Sequence, residues 1–106
     1  PSMRAVCDEG FGPVTTVESF STFEEGIQRA NNGPYGLQAG VITPQLSRAM
    51  QAFEELQFGG VIINDIPTFR VDQMPYGGSG SSGIGREGVQ YAAEDFTEPR
   101  MVVIRR

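Results

Sequence analysis

Two runs decide the fold class: Leu37-Gln38-Ala39-Gly40-Val41-Ile42-Thr43-Pro44, and Gly59-Gly60-Val61-Ile62-Ile63-Asn64 after one amphipathic stretch. Leu37 to Ile42 reads as a strand, and Gly40 inside it marks close approach of another piece of backbone. Thr43-Pro44 then reads as a helix start, with threonine as cap and proline in the first turn. Leu46, Ala49, Met50, Phe53 and Leu56 form an apolar stripe at helical spacing. Gly59-Gly60 stops that helix. Val61-Ile62-Ile63 is a continuous apolar run, as in a strand covered on both faces.

Upstream, the β-branched run Val14-Thr15-Thr16-Val17-Glu18-Ser19-Phe20 follows Gly12-Pro13 and predicts another strand. Thr22-Phe23-Glu24-Glu25 is a capping box, with Thr22 as cap and Glu25 three residues on. Phe23, Ile27 and Ala30 share one helical face. Asn31-Asn32-Gly33-Pro34 ends that helix. The order is β-α-β-α-β with short connections, which predicts an α/β layer. Downstream, residues 64–74 form a long irregular connection. The glycine-rich stretch from Met74 to Gly88 follows, then a short helix over about Arg86 to Glu94. Met101-Val102-Val103-Ile104 reads as a terminal strand, which must pair with an earlier strand or with a sheet edge in another subunit.

A chain of 106 residues holds one small domain at most. Its net charge of −5 argues against nucleic-acid and anionic-membrane partners. No apolar run is long enough to span a membrane, and Pro1-Ser2-Met3-Arg4 opens no secretory h-region. With one cysteine and no histidine, a disulfide framework is impossible and a zinc site disfavoured. Lysine is absent, so every cationic side chain is an arginine. These features predict a reduced, cytoplasmic protein. The strand-like run Arg4-Ala5-Val6-Cys7 at the start, and ligand-style loops without catalytic groups, are expected of a segment of a longer enzyme.

Gly78-Ser79-Gly80-Ser81-Ser82-Gly83 matches G-x-G-x-x-G. Pro75-Tyr76 precedes it instead of a strand, and no βαβ unit follows, so the dinucleotide reading is rejected. Cys7 sits beside Asp8 and Glu9, which disfavour a thiolate, and no histidine can act as its base. It reads as structural. In Glu9-Gly10-Phe11-Gly12-Pro13-Val14 a rigid turn displays a carboxylate and an aromatic ring. A carboxylate can accept two hydrogen bonds from a vicinal diol, and a ring can abut another flat ring. A solvated glutamate and a core phenylalanine would give the same residues, and both readings stand. Arg70, between Phe69 and Val71, suits an anionic substrate group. The favoured reading is that it braces its loop through Asp65 or Asp72.

Taken together, four co-linear motifs resemble the NAD(P)-dependent aldehyde dehydrogenase superfamily. Asp8-Glu9-Gly10-Phe11-Gly12-Pro13-Val14 resembles its E-E-x-F-G-P-V motif, and Ala30-Asn31 through Tyr35-Gly36-Leu37 its A-N-x-x-x-Y-G-L segment. Gly60-Val61-Ile62-Ile63-Asn64 resembles its G-x-v-x-i-N strand. Pro75-Tyr76-Gly77-Gly78 through Arg86-Glu87-Gly88 resembles P-[FY]-G-G-x-K-x-S-G-x-G-R-E. The resemblance implies a C-terminal segment: residues 1–85 from the end of the catalytic domain, 86–95 a connecting helix, and 96–106 an oligomerisation strand. It implies an enzyme that oxidises an aldehyde to a carboxylic acid with NAD or NADP. It places Glu9 on the nicotinamide ribose and Phe11 against the nicotinamide. Asn64, Phe69, Arg70 and Tyr76 would line the substrate tunnel. The partners implied are the aldehyde substrate, the missing N-terminal part of the enzyme, and further subunits in a dimer or tetramer. Gly10 replaces a usual apolar residue, and Gly80 replaces the usual lysine. The family's nucleophilic cysteine and general base fall upstream of this chain, so it carries no catalytic residue, and Cys7 is not that nucleophile. The alternative is a free-standing interaction module that oligomerises through its terminal strand.

Overall fold

The computed structural model describes residues 3–106; Pro1 and Ser2, part of the reading of the chain start, lie outside the described residues. The elements are α1 (Arg4–Cys7), α2 (Phe23–Asn31), β1 (Tyr35–Gly36), β2 (Gln38–Val41), α3 (Leu46–Glu55), β3 (Gly60–Ile63), β4 (Ser79–Gly80) and α4 (Val89–Asp95). The centre is β2-α3-β3. Its strands pair in parallel, Gln38 opposite Gly60 through Val41 opposite Ile63. The α/β class is borne out, with a mixed sheet arrangement: β1 and β4 form a separate antiparallel pair.

The α2 capping box forms with one change of partner. Glu25 N donates to Thr22 Oγ1 at 3.2 Å, while Glu25 Oε2 accepts from Ser21 N at 2.8 Å, one residue before the cap. Ile27 turns inward and packs with Ala52 and Leu56, flanked by Phe23, Ala39, Val41, Phe58 and Val61. Asn31 closes α2 and clips it to the end of α3: its Nδ2 donates to Glu55 O at 2.8 Å and its Oδ1 accepts from Gln57 N at 2.9 Å.

Helix α3 differs from expectation in two ways. It starts at Leu46 with Gln45 as cap, and Thr43 is buried before it, its Oγ1 accepting from Gln45 N at 3.2 Å. The Thr43 hydroxyl is thus engaged by the cap residue's own N–H and not by the first helical turn. The apolar stripe is also divided. Ala49, Ala52 and Leu56 are buried, whereas Leu46, Met50 and Phe53 remain exposed. Small residues let α3 approach α2 closely, so the inward face is the less hydrophobic of the two.

Four further expectations are corrected. Arg4 to Cys7 forms one helical turn instead of a strand, with Arg4 Nε paired to Asp8 at 2.9 Å. Residues 14–20 form no strand, and residues 101–104 form none either. Both runs have strand propensity, but a strand needs a partner ladder, and neither finds one among the described residues. The last helix begins at Val89, not Arg86. Gly88, at φ +123°, precedes it where a side chain would be strained.

Glycine in the 74–88 stretch serves close packing. A Cβ on Gly59 would overlap the carbonyl oxygen of Gly77, and one on Gly77 would stand 2.5 Å from Gly85 O. The chain is nonetheless elongated. Its radius of gyration is 17.9 Å, against about 13 Å for a compact domain of this length. Its accessible surface is 8962 Å², where a folded monomer of this mass exposes roughly 5,800 Å². No helix among the described residues is long and apolar enough to cross a membrane.

Gly59→Ala is expected to cost about 1–3 kcal/mol or more by overpacking against Gly77, read as a lowered urea midpoint. The Glu25 carboxyl is held below its ordinary value of 4.5, first by the Ser21 N–H and then by Arg29. Because its folded pKa is depressed, its contribution is present above pH 4.5 and is lost as pH falls through the folded value. Glu25→Gln is therefore expected to lower helix stability at neutral pH and to converge with the parent protein in acid, measured by circular dichroism.

Candidate functional site

Strands β2 and β3 run parallel, so their carboxyl ends share one edge, where open α/β sheets bind ligands. A single side chain ties these ends together. Asn64, the first residue after β3, accepts from Thr43 N through Oδ1 at 2.8 Å, while its own N–H donates to Val41 O at 2.8 Å. Asn64 adopts φ 61°, the one positive φ at a non-glycine residue among those described. Asparagine tolerates that conformation better than most side chains. The turn re-aims the chain back along β2. There a Cβ on Gly40 would stand 2.9 Å from Asp65 O and 3.0 Å from Pro67 Cδ, so the close approach expected at Gly40 is observed. Phe69 O then accepts from Gln38 Nε2 at 3.2 Å, at the start of β2. Asn64 thus sits at the end of β2, and Phe69 is held from the side chain at its start.

Beyond Phe69, three side chains converge. Arg70 Nη2 donates to Glu87 Oε2 at 2.9 Å, and the guanidinium carbon lies 4.2 Å from the centre of the Tyr76 ring. Tyr76 and Glu87 face each other across an isolated antiparallel bridge, with N–H to O distances of 3.0 and 2.6 Å. Arg70 does brace the loop, but through Glu87 and not through Asp65 or Asp72. The sequence hides this because the partner lies seventeen residues away, across the glycine stretch. Glu87 was not singled out there, and only its place opposite Tyr76 reveals it. Nearby, Arg86 Nη1 donates to the carbonyls of Gly78 and Gly85 at 3.0 and 2.7 Å, so that guanidinium fastens the glycine loop. Ser79-Gly80 is β4, followed by a turn and not by a helix, which agrees with rejecting the dinucleotide reading of G-x-G-x-x-G.

Glu9 and Phe11 lie in residues 9–20, which hold no helix or strand. Phe11 is 95% exposed, so it is not a core phenylalanine of this chain. No hydrogen bond, ion pair or ring contact among the described residues joins Glu9 or Phe11 to Asn64, Phe69, Arg70 or Tyr76. No group of His, Cys, Asp and Glu side chains among them could hold a metal. A separate apolar cleft of about 380 Å³ lies between α2 and β2, lined by Phe20, Phe23, Ile27, Val41, Ile42 and Leu56. It is an uncovered part of the small core.

The model of the aldehyde dehydrogenase family matches residues 1–102. The chain is 47% identical over 96 residues to a lactaldehyde dehydrogenase of Methanococcus maripaludis, covering 91% of this chain and 21% of that protein. It superposes with a TM-score of 0.77 and 50% identity on aldehyde dehydrogenase 21 from Physcomitrella patens, solved with the reaction product succinate; the match covers 81% of this chain and 18% of that one. It superposes with a TM-score of 0.83 and 40% identity on betaine aldehyde dehydrogenase from Staphylococcus aureus in complex with NAD+, covering 95% and 22%. The chain spans about one fifth of the length of the curated relatives it matches.

Replacing Asn64 by Ala is expected to cost about 2–3 kcal/mol, from an orphaned Thr43 N–H and a strained φ. Asn64→Gly orphans the same Thr43 N–H but carries no penalty at positive φ, so its loss should be smaller, as thermal unfolding of the two variants would show.

Proposed function

The chain belongs to the aldehyde dehydrogenase family, and from that premise we propose that it is the C-terminal segment of an enzyme that oxidises an aldehyde to a carboxylic acid with NAD or NADP. The observation that carries this reading is the family match over residues 1–102, a span that includes all four motifs. In this reading residues 1–85 end the catalytic domain, 86–95 connect, and 96–106 serve assembly in a dimer or tetramer. Met101 to Ile104 are more than 70% exposed, as an apolar run awaiting a neighbouring sheet would be. The elongated shape and small core speak against a free-standing module.

Glu9 and Phe11 fit a nicotinamide riboside. Both are exposed, and beyond the adjoining residues no atom lies within 4 Å of a Cβ built at Gly10 or Gly12, which leaves room for a diol and a flat ring to approach. Bound there, the nicotinamide would accept the substrate's hydride. The Glu9 carboxylate would accept hydrogen bonds from the ribose hydroxyls, and Phe11 would keep water from one face of the ring. Asn64 would wall the tunnel at the strand edge, with Phe69, Arg70 and Tyr76 further along. Arg70 favours an aldehyde that carries a second, anionic group. The succinate held by the Physcomitrella patens relative has two carboxylates, which agrees with that class.

The enzyme that contains this segment is expected to reduce NAD or NADP when given an aldehyde, while the 106-residue chain alone does not. Glu9→Ala and Phe11→Ala should each raise the KM for the cofactor about tenfold, the worth of one charge-assisted hydrogen bond or one stacked ring. Steady-state kinetics decides: turnover by the isolated chain, or a cofactor KM unmoved in both variants, overturns the assignment.

A further inference from the structure

Arg70 is held in an unusual way for a loop brace. A bidentate fork-to-fork pair would fix an arginine and occupy its matching edge. Here, among the described residues, the guanidinium gives one hydrogen bond, from Nη2 to Glu87 Oε2. Its face rests on the Tyr76 ring at 4.2 Å. A guanidinium carries five N–H donors in one plane. The ring fixes that plane and the carboxylate fixes its rotation, while most of the donors stay open. The side chain is 44% exposed, so the open edge is reachable. The two restraints are themselves coupled, because Tyr76 and Glu87 form one backbone-bonded antiparallel pair whose side chains stand on the same face.

The other arginines in helices or in the glycine loop are differently committed. Arg29 pairs with Glu18 and Glu25, Arg4 with Asp8, Arg86 with two carbonyls, and Arg48 lies over Phe23. In a chain of net charge −5, an anion needs a local, oriented cation to bind at all.

We propose that Glu87 and Tyr76 are positioning residues that aim the guanidinium of Arg70 at a terminal oxyanion on the aldehyde substrate, and so set the preference for charged over neutral aldehydes. This rests on the reading that residues 64–76 wall the substrate tunnel. Glu87 acts through its hydrogen bond more than through its charge, since its charge opposes the incoming anion. A neutral acceptor of the same shape should therefore serve.

The test uses the full-length enzyme with an aldehyde ending in a carboxylate and with the methyl ester of the same aldehyde. The parent enzyme should show a lower KM for the carboxylate. Arg70→Ala should raise that KM about tenfold or more relative to the ester's KM, the worth of one or two charge-assisted hydrogen bonds. Glu87→Ala should reduce the same preference with kcat on the ester unchanged, and Glu87→Gln should restore it; Tyr76→Leu should also reduce the preference, and Tyr76→Phe should restore it. A parent enzyme that oxidises both aldehydes with equal KM overturns the proposal and leaves the aldehyde-oxidising reading standing. So does a Glu87→Ala variant that loses both substrates equally, since a merely structural role would do that. Absence of any aldehyde oxidation overturns the underlying reading instead.

Discussion

The contact on which the rest depends is that between Gly59 and the backbone at Gly77, where no side chain fits. It presses the glycine-rich stretch directly onto the start of β3. Ser79 continues the seam: its Oγ donates to Gln57 O at 2.7 Å, and β4 pairs with β1 beside it. With Gly77 fixed, Tyr76 is fixed, and through the bridge so is Glu87. The position of Arg70 follows from those two. A loop that cannot form a core is thus ordered by backbone approach and hydrogen bonds, which offset the entropy of ordering so many glycines.

The core beneath this seam is very small. Ile27, Ala52 and Leu56 are its buried centre. Around it lie large uncovered apolar side chains: Leu46, Met50 and Phe53 on α3, Val14 to Phe20 before α2, and Met101 to Ile104 at the end. Apolar surface on that scale is stable in water only when something covers it. The same fact explains the missing strands. Residues 14–20 and 101–104 have the composition of strands, but a strand needs a partner ladder, and neither run pairs with one among the described residues.

Local rules were readable in the residues. The Thr22–Glu25 box, the β2-α3-β3 order, and the close approach at Gly40 all appear as their chemistry suggests, because each depends on neighbours within a few positions or on a parallel pairing implied by one intervening helix. Which stripe of α3 turns inward was not readable. Leu46-Met50-Phe53 and Ala49-Ala52-Leu56 both recur at helical spacing, and the choice between them belongs to α2, which needs a close neighbour. The cap of α3 moved for a similar reason, since Thr43 is held by the Asn64 clasp.

The amino-acid sequence by itself determined the class, the order of the central elements and the family. These rest on periodicity and on motifs that survive without three-dimensional context. Tertiary structure alone decided that Arg70 meets Glu87 across Tyr76, that Asn64 joins the ends of β2 and β3, and that Glu9 and Phe11 stand open and apart from both. Those contacts bridge long separations, and their geometry comes from where a glycine lets one backbone lie against another. No spacing along the chain records that distance.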